Sequence, residues 1–179
     1  MSTLKIFFLN LLVLVVTGAP GLSAQTNTPS PCNSKPEYRQ FDFWIGEWEV
    51  TNADGQFLGM NKIELILDGC VVLENWTSAS PNYSGKSFNY YNSIRGKWEQ
   101  KWIDNQGISI EFEGLYDADN KSLNYVGKGF NPADSSWIDY KLTFYNISED
   151  YMRQIWEQSS DGENWTTLFD GHYRRKAEN

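Results

Sequence analysis

Histidine is almost missing from this chain: His172 is the only one in 179 residues, and the cysteines are just two, Cys32 and Cys70. Protein zinc sites are assembled from several His, Cys or carboxylate ligands. With so few soft ligands a His- or Cys-rich metal site is not expected. A Ser-His-Asp triad would have to use His172, and no Gly-x-Ser-x-Gly elbow is present to offer the serine. No apolar stretch reaches the roughly 18 residues that a membrane-spanning helix requires. Basic runs are also missing. Lys and Arg total 15 against 23 Asp and Glu, for a net charge of -8, so neither nucleic acid nor an anionic membrane surface is an expected partner. Finally, no segment carries a sustained apolar pattern of period 3.6, so no helix is expected beyond a short turn near Glu37 to Asp42.

The chain begins with Lys5, an apolar run from Ile6 to Val16 broken only by Asn10, and then Leu22-Ser23-Ala24 before Gln25. A basic start, a short apolar core and small residues at the end have the order of a secretory signal peptide over residues 1–24. A secreted or periplasmic location follows as an expectation, with no integral membrane segment after cleavage. Residues 25–38 are polar and proline-rich and read as a linker or laid-down arm. Residues 39–177 then form one domain. In an oxidising compartment the two cysteines are expected to form one disulfide, Cys32 to Cys70, the alternative being two unpaired thiols.

Eight Trp, ten Tyr and ten Phe dominate what remains. From Phe41 onward, short runs rich in Val, Ile, Thr and aromatics alternate with turn signals such as Asp54-Gly55, Asp68-Gly69, Arg95-Gly96 and Asp161-Gly162. Nine or ten segments of about 8 to 12 residues result. Several show the two-residue period of a half-buried strand: Trp98, Gln100 and Trp102 fall on one face, as do Ile110 and Phe112, and Ile138, Tyr140, Leu142 and Phe144. Consecutive strands with tight turns and no long crossover predict an all-β fold, an antiparallel up-and-down β-barrel of 8–10 strands. A barrel leaves no exposed edge. A two-sheet sandwich is the competing architecture.

The segments RQFDFWIGEWEV, DGCVVLENW, GKSFNYYN, GKWEQKWIDNQG and WTTLFDGHYRRK resemble, together, a family of bacterial exported proteins known mainly as a numbered domain of unknown function. The likeness covers residues 32 to 176. Gly46-Glu47-Trp48 near the first strand and Tyr173-Arg174-Arg175 at the end also look like the arrangement of the calycin superfamily, which includes the lipocalins. The family resemblance implies a calycin-like barrel and a Cys32–Cys70 bridge, and the calycin resemblance implies Trp48 stacked under Arg174 or Arg175, with Gly46, Trp48, Arg174 and Arg175 as structural residues. Phe41, Phe43 and Trp44 are expected to plug one barrel end. It implies no reaction. One branch of such barrels binds haem through a histidine near the chain end; strand alternation places His172 opposite Phe169, Gly171 and Tyr173, facing solvent, so no cofactor is predicted.

Polar residues that share a face with large aromatics are the candidates for chemistry. Glu74 and Trp76 share one side of their segment, Ser87, Asn89 and Tyr91 share another, and Gln100 lies between Trp98 and Trp102. Facing inward, these residues would give an aromatic-walled lumen with a few fixed hydrogen-bonding groups, the composition of a small-molecule site. Facing outward, they would leave Phe88 and Tyr90 to fill the core. The expected ligand set is Glu74, Trp76, Ser87, Asn89, Tyr91, Gln100 and Trp102, and the expected partner is a small, partly apolar molecule. A buried Glu74 would have a raised pKa and could carry protons in an enzyme using the same lumen. A third possibility is an accessory protein whose exposed tryptophans stack on glycans. Glu111 and Glu113, like Glu47 and Glu49, alternate with apolar residues and are expected to face water. Ligand identity and oligomeric state have no signal in the sequence.

Overall fold

The alternating segments form ten strands in the computed structural model, which describes residues 30–131 and 135–176. They are β1 (Gly46–Thr51), β2 (Phe57–Ile66), β3 (Val71–Ser78), β4 (Ser84–Asn92), β5 (Lys97–Asp104), β6 (Ser109–Asp117), β7 (Ser122–Asn131), β8 (Ser136–Ser148), β9 (Tyr151–Ser159) and β10 (Thr166–Arg175). Each pairs antiparallel with its neighbours in sequence, and β1 pairs with β10, so the sheet closes into a barrel. The up-and-down barrel is therefore present and the sandwich is not. The expected leader, residues 1–24, lies outside the described residues.

Short polar side chains set many of the turns. The carboxamide or carboxylate oxygens of Asn52, Asn92, Asp104, Asp117 and Asp161 each accept two backbone N–H groups from the residues that follow. Such bonds mimic a backbone turn, which is why Asn and Asp concentrate between strands.

The segment ahead of β1 is more structured than a polar arm. A one-turn helix, α1 (Pro31–Ser34), is followed by 3-10 turns at Pro36–Arg39 and Asp42–Trp44. Ser30 caps α1 by accepting the Cys32 N–H at 3.3 Å, and Pro31 sits at its first position, where a missing N–H costs nothing. Cys32 is bonded to Cys70 in the β2–β3 turn, and the Arg39 guanidinium donates to the Gly69 carbonyl in the same turn. Two ties thus hold this segment across one barrel end.

Phe41 and Trp44 are fully buried there, stacked with ring centroids 4.8 Å apart, and both meet Phe144, at 5.0 and 4.7 Å. Phe43 is only partly buried beside them. Burying each such ring contributes roughly 1.5–3 kcal/mol. The Trp48 indole donates to the Trp44 carbonyl at 2.8 Å, and the Arg175 guanidinium lies 4.3 Å above its ring. Of the two candidate cations Arg175 makes this stack, because inward-facing Tyr173 and the strand alternation put Arg174 over Tyr151 on the outer face, at 4.8 Å. Arg175 also donates to the Ile45 carbonyl at 2.9 Å. Its path explains Gly46: any Cβ at that position would overlap the Arg175 Nη1.

Candidate ligand cavity in the barrel lumen

Inward-facing residues follow a common order along several strands, from the plugged end toward the opposite end. On β3 it is Val72, Glu74, Trp76; on β5, Trp98, Gln100, Trp102; on β9, Met152, Gln154, Trp156. The antiparallel β2 runs the other way, with Ile63, Asn61 and Gly59 paired at the levels of Glu74, Trp76 and Ser78. The lumen is consequently layered. An apolar floor built on Phe41, Trp44, Trp98, Leu123, Phe144 and Met152 fills one end. A polar belt crosses the middle, and aromatics surround the open end.

The polar belt is a connected hydrogen-bond network centred on Glu74, a residue only 5% exposed. Asn61 Nδ2 donates to Glu74 Oε1 at 2.7 Å and Ser87 Oγ to Glu74 Oε2 at 2.6 Å. Behind them Asn89 Nδ2 donates to Ser87 Oγ at 2.8 Å and to the Val72 carbonyl at 3.2 Å. Gln100 Nε2 and the Tyr125 hydroxyl both donate to Asn89 Oδ1, at 2.8 and 3.4 Å. Side chains from β2, β3, β4, β5 and β7 are thereby joined. Burial pushes the Glu74 carboxyl up to about 7, an effect opposed by the hydrogen bonds from Ser87 and Asn61. Burial also raises Tyr125 and Tyr173 well above the phenol range, with the Glu74 charge adding to it.

Above this belt is a cavity of about 190 Å3. Glu74, Gln100, Gln154 and Tyr173 form its base; the Tyr173 hydroxyl donates to Gln154 Oε1. Its walls are Trp76, Trp102, Phe112, Leu142, Trp156 and Phe169, and Tyr83 and Leu168 complete the lining. The Tyr83 hydroxyl donates to Asp104 at 3.3 Å, and burial, aided by that carboxylate, raises its pKa to about 12. Glycines on the adjacent strand or the same strand make room for the rings. A Cβ at Gly85 would lie 2.3 Å from the Trp102 indole, and one at Gly171 would lie 2.4 Å from the Phe169 ring.

The residues expected from sequence divide into three groups. Glu74, Trp76, Gln100 and Trp102 line the cavity. Ser87 and Asn89 face inward, but they sit behind Glu74 as its hydrogen-bonded support; Phe88 and Tyr90 are exposed instead. Tyr91 does not reach the cavity. It lies near the plugged end, edge-on to Tyr38 at 5.3 Å and to Trp98 at 6.1 Å, because β4 runs from the open end toward the plug and Tyr91 is close to its end. Asn61, Gln154, Trp156, Phe112 and Phe169 were missed as site residues. The apolar-x-polar-x-Trp spacing shared by β3, β5 and β9 is the signal that could have found Gln154 and Trp156.

On β10 the alternation breaks. A register shift between Thr167 and Phe169 puts Leu168 into the cavity lining, and Trp165, just ahead of the strand, packs outside under the Lys141 ammonium at 3.7 Å. His172, downstream of the bulge, does face outward, with its Nδ1 2.6 Å from the Tyr151 hydroxyl. A wider concavity of about 740 Å3 crosses the outer face of β4 to β8. Its charges satisfy one another, as in the pairs Arg95–Glu113, Lys101–Glu111 and Lys128–Asp139, and Lys97 outside the lining also pairs with Glu113. Glu111 and Glu113 are therefore solvated partners of lysines. Among the described residues no cluster of three or more His, Cys, Asp or Glu side chains could hold a metal ion, and no helix is long and apolar enough to cross a membrane.

Fold and lumen together define the class: a closed ten-stranded antiparallel barrel, plugged at one end and carrying an aromatic cavity over a buried carboxyl. Residues 35–175 match the family described as "Protein of unknown function (DUF1579)", and the chain belongs to that family. No curated protein matches it.

Proposed function

We propose that this is an exported, calycin-like barrel that binds a small, partly apolar molecule in its lumen. The observation that carries this reading is the cavity: six aromatic or aliphatic side chains enclose about 190 Å3 over one carboxyl and two carboxamides. Apolar walls with a few fixed polar groups are the usual makeup of a small-molecule site, and the volume is below the roughly 300–1,000 Å3 of drug-sized pockets, so the occupant has one ring or a short chain. Trp76, Ser87, Asn89, Gln100 and Trp102 serve as wall or support, with Glu74 at the base. The Cys32–Cys70 bond is consistent with export to an oxidising compartment.

Tryptophan fluorescence tests the reading directly, because Trp76, Trp102 and Trp156 all face the cavity. Titration with small amines, alcohols, carboxylates, sugars, lipids and porphyrins is expected to give saturable quenching with at least one class. A flat response to every class would mean that the lumen is structural.

The pKa of Glu74, near 7, favours a second reading: a small-molecule enzyme in which Glu74 passes a proton. For an enzyme, Glu74→Gln abolishes turnover and retains binding; for a carrier no turnover is found in either form. A glycan-stacking surface has weaker support. All eight tryptophans are described, and only Trp137, at 62%, is exposed.

A further inference from the structure

The cavity lining contains one formally ionisable carboxyl, Glu74, and no Lys, Arg or His. Among the other polar groups at the base, Gln154 has its carbonyl oxygen engaged by the Tyr173 hydroxyl. Gln100 has its amide nitrogen engaged by Asn89 Oδ1. Around this base stand Trp76, Trp102, Phe112, Trp156 and Phe169, with Trp76 and Phe169 edge to face at 5.9 Å and Phe112 and Trp156 at 6.3 Å. Aromatic faces present negative potential, so a ring of them attracts an organic cation and holds its apolar part equally well. The chain as a whole, at net charge -8, adds a field of the same sign.

Resting on the lumenal-binding reading above, we propose that the occupant is a small protonated amine carrying an apolar group, its ammonium donating to the Glu74 carboxylate and its hydrocarbon lying against the tryptophan walls. Nothing facing Glu74 supplies a competing positive charge. Asn61 approaches from β2, Ser87 from β4, Tyr125 from β7, Tyr173 from β10 and Tyr83 from the β3–β4 turn, and the three tyrosines, all raised in pKa, stay neutral through the working range. The empty site holds Glu74 as a mixture of acid and carboxylate near neutral pH, and a bound ammonium draws it to the carboxylate. Uptake of the cation therefore expels a proton when the pH lies below about 7.

Three isosteric probes test the charge preference: 2-phenylethylammonium, 2-phenylethanol and phenylacetate, followed by tryptophan fluorescence and calorimetry. The ammonium is expected to bind at least about tenfold tighter than the alcohol, the scale of a hydrogen bond to a charged group, and phenylacetate not at all. Its affinity should rise between pH 5.5 and 8.5, and calorimetry at pH 6.5 in two buffers of different ionisation enthalpy should show proton release. Glu74→Gln should bring ammonium and alcohol affinities within about twofold of each other. If the alcohol binds as tightly as the ammonium, or binding at pH 6.5 releases no proton, the cation inference is overturned while the lumenal site stands. Silence from every probe class overturns both. The proton measurement uses the wild-type protein, so the test does not depend on the variant folding.

Discussion

Glu74 is the residue at which stability and function pull in different directions. Its folded pKa of about 7 stands above the ordinary 4.5 because burial penalises the charged form. Below pH 4.5 both folded and unfolded chains hold the proton and the residue makes no pH-dependent contribution. As the pH rises toward 7 the unfolded chain ionises first, so stability is lost across that window and levels off above it. At about 1.4 kcal/mol per pKa unit the full loss is on the order of 3 kcal/mol. Glu74→Gln should remove that slope: urea unfolding at pH 5 and pH 8 is expected to differ by about 2.5 kcal/mol less in the variant than in the wild type. Equal differences in the two proteins would show that Glu74 ionises normally. A second residue-scale contrast concerns the terminal arginines. Arg175→Ala loses the stack on Trp48 and the bond to the Ile45 carbonyl and should cost about 1–3 kcal/mol. Arg174→Ala, on the outer face over Tyr151, should stay within about 0.5 kcal/mol in the same denaturation assay.

At the scale of elements, the segment ahead of β1 depends on the barrel rather than on itself. Its helical pieces are of three or four residues, far below the length at which a helix is stable alone. The disulfide, spanning a sequence separation of 38, and the burial of Phe41 and Trp44 hold it in place. Replacing both cysteines by serine should lower stability by about 3–4 kcal/mol in the chain-entropy model. It should also raise amide hydrogen exchange in residues 30–44 more than in the strands. A variant that loses stability uniformly would contradict the clamp. The strands themselves were legible in sequence because their signal is local. Successive Cβ atoms alternate between faces, so Trp98, Gln100 and Trp102, or Leu142 and Phe144, could be assigned to one face without knowing their neighbours. The one-turn helix at Pro31–Ser34 escaped notice, since a Ser-Pro cap in a proline-rich stretch also reads as an extended arm. The break in alternation ahead of Phe169 on β10 was not legible, because a bulge adds a residue to one strand only and leaves no period in the sequence.

For the whole molecule, the layered lumen is the controlling feature. A barrel of ten strands encloses more space than its plug fills, and the space left over is the cavity. An occupant that binds only the folded state stabilises it by about 2.7 kcal/mol at a free concentration one hundred times its Kd. For a domain of this size the unfolding midpoint should rise by about 5–10 °C. A ligand that quenches tryptophan fluorescence but leaves the midpoint unmoved binds the unfolded chain as well as the folded one.

The sequence by itself pointed to the all-β class, a barrel of 8–10 strands with a sandwich as competitor, and the grouping of Glu74 with Trp76 and of Gln100 with Trp98 and Trp102 on shared strand faces. All of these follow from alternation and turn chemistry within a few residues, while which face turns inward was left to the tertiary structure. Only the tertiary structure decided that Asn61 and Ser87 hold the Glu74 carboxyl, that Arg175 rather than Arg174 covers Trp48, that Tyr91 belongs to the plugged end, and that Gln154, Trp156 and Phe169 complete the cavity. Those facts depend on register and closure between segments far apart in the chain, and a one-residue slip in pairing changes which side chains meet.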